Sequence, residues 1–325
     1  MFGILIRRGM AGCLVVLGVT TLTFLLLRLA PGDPALRLLG PTATPAQVAA
    51  LHHAMGFDDP VPTQYARWLG SMARGDWGES IATGRRVRDM LADAWPATFG
   101  LVLVSLILSY GLGLLVGSVQ TARAGSRLDT ILSVTSVTLF AVPGYWLALM
   151  LVAVFTYEAR LLPAFGAAGL DADLLRPLGR VLDTIRHAIL PLATLTLIGA
   201  GGAARFVRGT MFDVARLPFV TTARAKGLRE SRILRHHVLR NALIPILTLL
   251  GLSVPTLFSG AVFVEAVFAW PGVGRVLVEA VQARDYPVVM GATMVSAVLV
   301  VIGNVLADVI ASAVDPRIRH RAGRA

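Results

Sequence analysis

A chain of 325 residues that is 55% hydrophobic and only 15% charged, with a mean hydropathy of +0.71, is too apolar for a soluble protein, where apolar residues make up roughly 45–50%. Its composition is that of an integral membrane protein, so the net charge of +11 is read first as membrane topology and not as nucleic-acid binding. The single cysteine, Cys13, lies in the first apolar run; it excludes an internal disulfide and reads as a small packing residue.

A helix needs about 20 apolar residues to cross the hydrocarbon core. Runs free of Asp, Glu, Lys and Arg extend over Gly9–Leu27, Ala94–Ala122, Thr130–Tyr157, His187–Ala204, Asn241–Val264 and Tyr286–Ala307. They predict an all-α protein with six spans, over about 9–29, 96–120, 130–156, 188–210, 241–264 and 287–310, forming one transmembrane domain over 9–325. With both ends on one side, the segments there carry 17 Lys/Arg against five acids; the opposite side, leaving out Arg28, carries 12 against 14. Both termini, including residues 1–8, are therefore expected in the cytoplasm. Arg7 and Arg8 imitate the start of a signal peptide, but the apolar run is long and no A-x-A site follows, so an uncleaved first helix is expected.

Pro31, Gly32 and Pro34 end this helix, and an outside loop over 31–94 follows. Within it, Thr44-Pro45 reads as an N-cap with proline at the first helical position, starting a helix that runs to about Met55. A second helix, Pro62 to about Arg74, puts Tyr65, Trp68, Leu69 and Met72 on one face, against the membrane interface or the rest of the protein. His52 and His53 are adjacent, point to different faces and lack companion ligands, so no metal site is expected. Span two carries Gly111, Gly113 and Gly117, which suit close helix contacts. In span three Pro143-Gly144, followed by Tyr145 and Trp146, predicts a kink that either lines a path or serves packing. A loop over 158–186 leads to span four, whose inner end carries Arg205 and Arg208, expected to snorkel to the phosphate level. That helix is expected to continue to Leu217, where Pro218 breaks it.

The most informative stretch is the charged loop over 214–242. Phe219 to Lys226 makes about two helical turns, Gly227 is placed as a left-handed cap, and a second helix starts near Glu230. Its arginines suit anionic lipid, but Phe219, Val220, Ala223 and Ala225 between Arg224 and Lys226 also suit docking into a protein groove. In span five, Ser253, Pro255 and Ser259 join Pro143 and Trp146 as candidate residues of a translocation path. Glu265 closes the span at the outer face, Trp270 to Tyr286 forms a short outside helix, and Asn304 and Asp308 read as interface groups.

TARAKGL (Thr222–Leu228) with RNALIP (Arg240–Pro245) resembles the coupling loop of ABC importer permeases, specifically the B-type permeases of the dipeptide, oligopeptide and nickel family. The resemblance extends over APGDP (Ala30–Pro34), RGDWGES (Arg74–Ser80), WPATF (Trp95–Phe99), VPGYW (Val142–Trp146), ILPLATL (Ile189–Leu195), VFAWPGVGR (Val267–Arg275), RDYPVV (Arg284–Val289) and DPRIR (Asp315–Arg319). It implies a type I importer permease fold in a bacterial inner membrane, with Phe219, Thr222, Ala223, Arg224, Ala225, Lys226, Gly227 and Leu228 as the contact to ATPase subunits. It implies as partners a second homologous permease, two ABC ATPases that bind ATP and Mg, and an extracytoplasmic substrate-binding protein, with di- or oligopeptides, nickel or glutathione as cargo. Thr221 stands where that family usually has a basic residue, and Phe219 where it usually has tyrosine.

ATP hydrolysis needs a GK[ST] loop, and the only lysine, Lys226, is followed by glycine and leucine. G-x-S-x-G, H-E-x-x-H and an intramembrane acid or histidine pair are also missing. No catalytic residue and no cofactor of its own is therefore expected. The rival reading is a stand-alone channel or secondary carrier whose basic loop only meets lipid.

Overall fold

The computed structural model describes residues 2–29, 39–40, 42–56 and 58–314. Apart from one bridge, Glu79–Arg86, their regular structure is helical. The APGDP and DPRIR motifs and the side chains of Pro255 and Asp308 lie outside what is described.

Helix α1 (Phe2–Leu29) packs along the last helix, with Gly12 against Val301. Helix α2 (Pro45–Met55) starts at the Thr44 cap, where the Gln47 amide donates to Thr44 Oγ1 and the Thr44 amide to Gln47 Oε1. Helix α3 (Val61–Ala73) turns its aromatic stripe onto α1: Tyr65 and Trp68 lie 5.1 and 6.5 Å from the Phe24 ring, and the Tyr65 hydroxyl meets Thr21 at 2.6 Å. The stripe therefore covers protein. Leu69 remains exposed.

Helix α4 (Val87–Ala122) begins well before the expected boundary and carries Pro96 inside it. Proline removes one backbone hydrogen bond, a loss that surrounding groups can make good in a packed bundle. Helix α7 (Pro177–Ala215) likewise begins inside the expected loop. At 1.5 Å per residue its 39 residues are about 58 Å long, nearly twice the ~30 Å hydrocarbon core. Hydrophobicity marks where the bilayer lies, whereas backbone hydrogen bonding carries the helix beyond it.

Between them, α5 (Arg127–Ala141) and α6 (Gly144–Val152), continued by a π-helical turn (Ala153–Glu158), form span three. The two arms are bent by 106°, because Val142 and Pro143 are extended (ψ 130° and 132°). The expected kink is a complete break. Helix α8 (Pro218–Ala225) follows α7, and after the turn Glu230–Arg232 and the π-helical stretch Ile233–Leu239, α9 (Arg240–Val267) crosses back. Helices α10 (Val273–Ala283) and α11 (Tyr286–Val314) complete the chain. Among the described residues, five helical segments are long and apolar enough to cross a membrane, and the bent pair counted as one span makes a sixth.

The α4–α7 contact depends on glycine. A Cβ on Gly113 would lie 2.5 Å from Ala203 Cβ and 3.1 Å from the Ala204 nitrogen, and one on Gly117 2.7 Å from Val207. Gly111, expected to serve the same contact, faces open space.

Candidate functional site: coupling loop and central cavity

Leu217 is extended and Pro218 occupies the first turn of α8, so the proline that ends α7 also starts the next helix. Val220 (0% exposed) and Ala223 (5%) point into a cluster with Val207, Met211, Ile233, Val238 and Ile246. Phe219, Thr221, Thr222, Arg224, Ala225 and Lys226 are exposed, and Leu228 is half-buried against the cluster. Ala223 thus departs from the expectation that it offers a partner contact: the three-residue step from Val220 places both on the inward face, where they fasten α8 to the bundle.

Gly227 has φ +76°. The Gly227 and Leu228 amides donate to the carbonyls of Arg224 (2.9 Å) and Ala223 (3.4 Å), closing the helix as a left-handed cap. Beyond the turn, Arg224 donates to both oxygens of Glu230, at 3.1 and 2.7 Å. This carboxylate raises the Arg224 pKa above its ordinary value. Arg224 thus braces the two arms of the loop.

Arg208 turns toward the neighbouring helix α5. It donates to Asp129 Oδ1 (3.0 Å) and Oδ2 (2.9 Å) on α5. The Gly125 amide and the Ser133 hydroxyl donate to the same carboxylate, and Gln120 donates to Ser133 at 2.9 Å. Arg208 also lies 4.8 Å from the Phe212 ring. A carboxylate on the neighbouring element offers it a bidentate partner, so α4, α5 and α7 are tied together next to the coupling loop.

A cavity of about 770 Å³ lies between α4, α5, α6, α7 and α9; its wall includes Tyr110, Phe140, Tyr145, Arg205, Ser253 and Phe263. Among the residues expected on a path, Ser253 lines it. Ser259 opens instead on a separate cavity of about 310 Å³ beside Trp95 and Thr98, since six helical residues turn it well away from Ser253. Pro143 caps α6 at the break, directly before the lining residue Gly144. Trp146 is 48% exposed and is not among the cavity-lining residues.

At the opposite end the short motifs meet one another. Asp285, 2% exposed, accepts hydrogen bonds from the Ser80 hydroxyl and the Ala82 amide. Trp270 Nε1 donates to the Ala97 carbonyl at 3.2 Å, and the Val273 amide to Thr98 Oγ1 at 2.8 Å. Glu265 is fully buried and does not mark a solvent-facing helix end; its Oε2 accepts the Gly274 amide at 2.7 Å. Sequence spacing could not reveal these pairs, whose members lie up to 205 residues apart. Among the described residues, no cluster of His, Cys, Asp and Glu could hold a metal.

Residues 92–320 match the family model described as "Binding-protein-dependent transport system inner membrane component", and residues 1–102 match the N-terminal model of the same system. The chain belongs to this family. As a member it is a multi-pass inner-membrane permease subunit of ABC importers, a transport component and not an enzyme. It is 38% identical to the oligopeptide transport system permease protein AppB of Bacillus subtilis (strain 168), over 97% of this chain and 99% of that one. It is also 38% identical to the di/tripeptide transport system permease protein DppB of Pseudomonas aeruginosa (strain UCBPP-PA14), over 94% and 95%. Its fold resembles two inward-facing structures of the MetNI methionine ABC transporter, with TM-scores of 0.56 and 0.53 at 19% and 18% identity, each covering 70% of this chain and 96% of the other.

Proposed function

We propose that the chain is one half of the transmembrane pathway of an importer for di- and oligopeptides, driven by separate ATPase subunits that dock on α8. The supporting observation is the two-sided construction of α8: Val220 and Ala223 anchor it while Phe219, Thr222, Arg224, Ala225 and Lys226 are presented outward. Lys226 and the open left-handed turn at Gly227 leave space for a partner surface. In this reading residues 1–8, the 214–242 loop and the C-terminus face the cytoplasm, a homologous permease completes the pathway, and two ATPases hold ATP and Mg. An extracytoplasmic binding protein delivers the cargo. Closure of the ATPase pair would move α8 and α7 as a rigid unit and rock the spans between inward- and outward-facing states. The peptide assignment draws on the names of the relatives.

Purification of the tagged chain in mild detergent tests the assembly, with an ABC ATPase expected to follow it; its absence would favour a stand-alone carrier. ATPase stimulation of the reconstituted complex by liganded binding protein tests the cargo. Stimulation by peptides is expected, and stimulation by nickel or glutathione alone would overturn the peptide assignment.

A further inference from the structure

The central cavity contains one charged residue among those lining it, Arg205 on α7. It has no carboxylate within ion-pair distance among the described residues; its guanidinium carbon lies 5.3 Å from the centre of the Phe140 ring. Gly202, one turn earlier, makes room for that ring: a Cβ there would lie 3.1 Å from it. The neighbouring Arg208 is held by Asp129, so two arginines three residues apart have opposite fates.

Three hydroxyls of the wall, those of Ser109, Tyr110 and Ser253, are already engaged within the protein. Ser253 donates its single proton to the Leu249 carbonyl at 2.9 Å. In the 2.6 Å contact between Tyr110 and Ser253 the tyrosine must then be the donor. Ser109 donates to the Thr196 carbonyl. A guanidinium carries five donors and accepts nothing, and that of Arg205, exposed on the cavity wall, has donors left for an anion that enters. An arginine supported by an aromatic ring in a largely apolar cavity of about 770 Å³ is built to receive a carboxylate.

Resting on the peptide-import reading above, we infer that Arg205 is a specificity-determining residue of the permease itself: it binds a carboxylate of the peptide in transit, while the aromatic walls accept its side chains. The carboxylate can be the peptide's C-terminus or an acidic side chain.

The test is uptake into vesicles containing the whole transporter, with the binding protein saturated by each of three probes: a neutral tripeptide with a free C-terminus, its C-terminal amide, and a glutamyl analogue of that amide. Arg205→Gln should lower maximal uptake of the free acid about tenfold, the scale of one charge-assisted hydrogen bond, and leave the neutral amide at the wild-type rate. Arg205→Lys should restore much of the loss. Amide uptake at the wild-type rate also shows that the variant folds and assembles. If the glutamyl amide loses uptake with the free acid, the site takes any carboxylate; if it follows the neutral amide, the site reads the C-terminus. The inference is overturned if Arg205→Gln changes uptake of acid and neutral amide by the same factor. Failure of the wild-type complex to import any of the three would instead sink the peptide-import reading.

Discussion

The Asp129–Arg208 pair gives the clearest energetic test. The Asp129 side chain is 7% exposed and that of Arg208 35%, so the pair lies between a surface bridge worth about 0–1 kcal/mol and a buried one whose breakage costs roughly 3–5 kcal/mol. Asp129→Ala leaves a partly solvated guanidinium, which still reaches water and the Phe212 ring, at a cost of about 2 kcal/mol. Arg208→Ala leaves a more deeply buried carboxylate, still bonded to Gly125 and Ser133, at about 3 kcal/mol. The double variant should cost about 3 kcal/mol instead of the ~5 of simple addition, a coupling of about 2 kcal/mol. The assay is reversible unfolding of the detergent-solubilised chain by SDS, read by helical circular dichroism for wild type, both single variants and the double. A coupling within about 0.5 kcal/mol of zero would mean that the pair does not lock α5 to α7.

Three other outcomes follow from the packing. Gly227→Arg should leave membrane insertion intact and uncouple uptake from ATP hydrolysis, because a side chain at φ +76° costs about 1–2 kcal/mol and projects from the proposed docking face; normal uptake in reconstituted vesicles would refute this. Gly113→Ala should destabilise the chain by about 1–3 kcal/mol, whereas Gly111→Ala, which meets nothing within 4 Å, should not; equal SDS midpoints would contradict the close α4–α7 contact. Glu265→Ala removes the acceptor of the Gly274 amide at the start of α10, a loss of about 1 kcal/mol on the scale of a helix cap. Hydrogen exchange should then quicken at Gly274, and unchanged exchange would show that the carboxylate does not hold α10.

Local features were legible wherever the cause itself is local. Thr44 and Pro45 start α2 as their spacing requires, because both halves of the capping box lie within four residues. Gly227 ends α8 for a similar reason: only glycine takes the left-handed turn without steric cost. Each charge-free run falls within one long helix or the bent pair, since the bilayer penalises charge regardless of which helix is the neighbour. Helix ends were less legible. Charge at positions 85–93 and 176–186 reads as loop, yet helices run on through residues 87 and 177 once they leave the hydrocarbon.

What the sequence alone determined is therefore the class of protein, the apolar runs on which its long helices are built, a bend at Pro143-Gly144 and the helix–glycine–helix form of the 214–242 loop. Only the tertiary structure decided which arginine is paired and which is open: Arg205 and Arg208 are alike in sequence, but Asp129, 79 residues before Arg208, reaches just one of them. It also turned Ala223 inward and separated Ser253 from Ser259. The physical reason is that apolar periodicity shows that a face is buried without naming its neighbour, and in a bundle of similar apolar helices many pairings satisfy it. Glycine contacts and hydrogen bonds between distant segments select one.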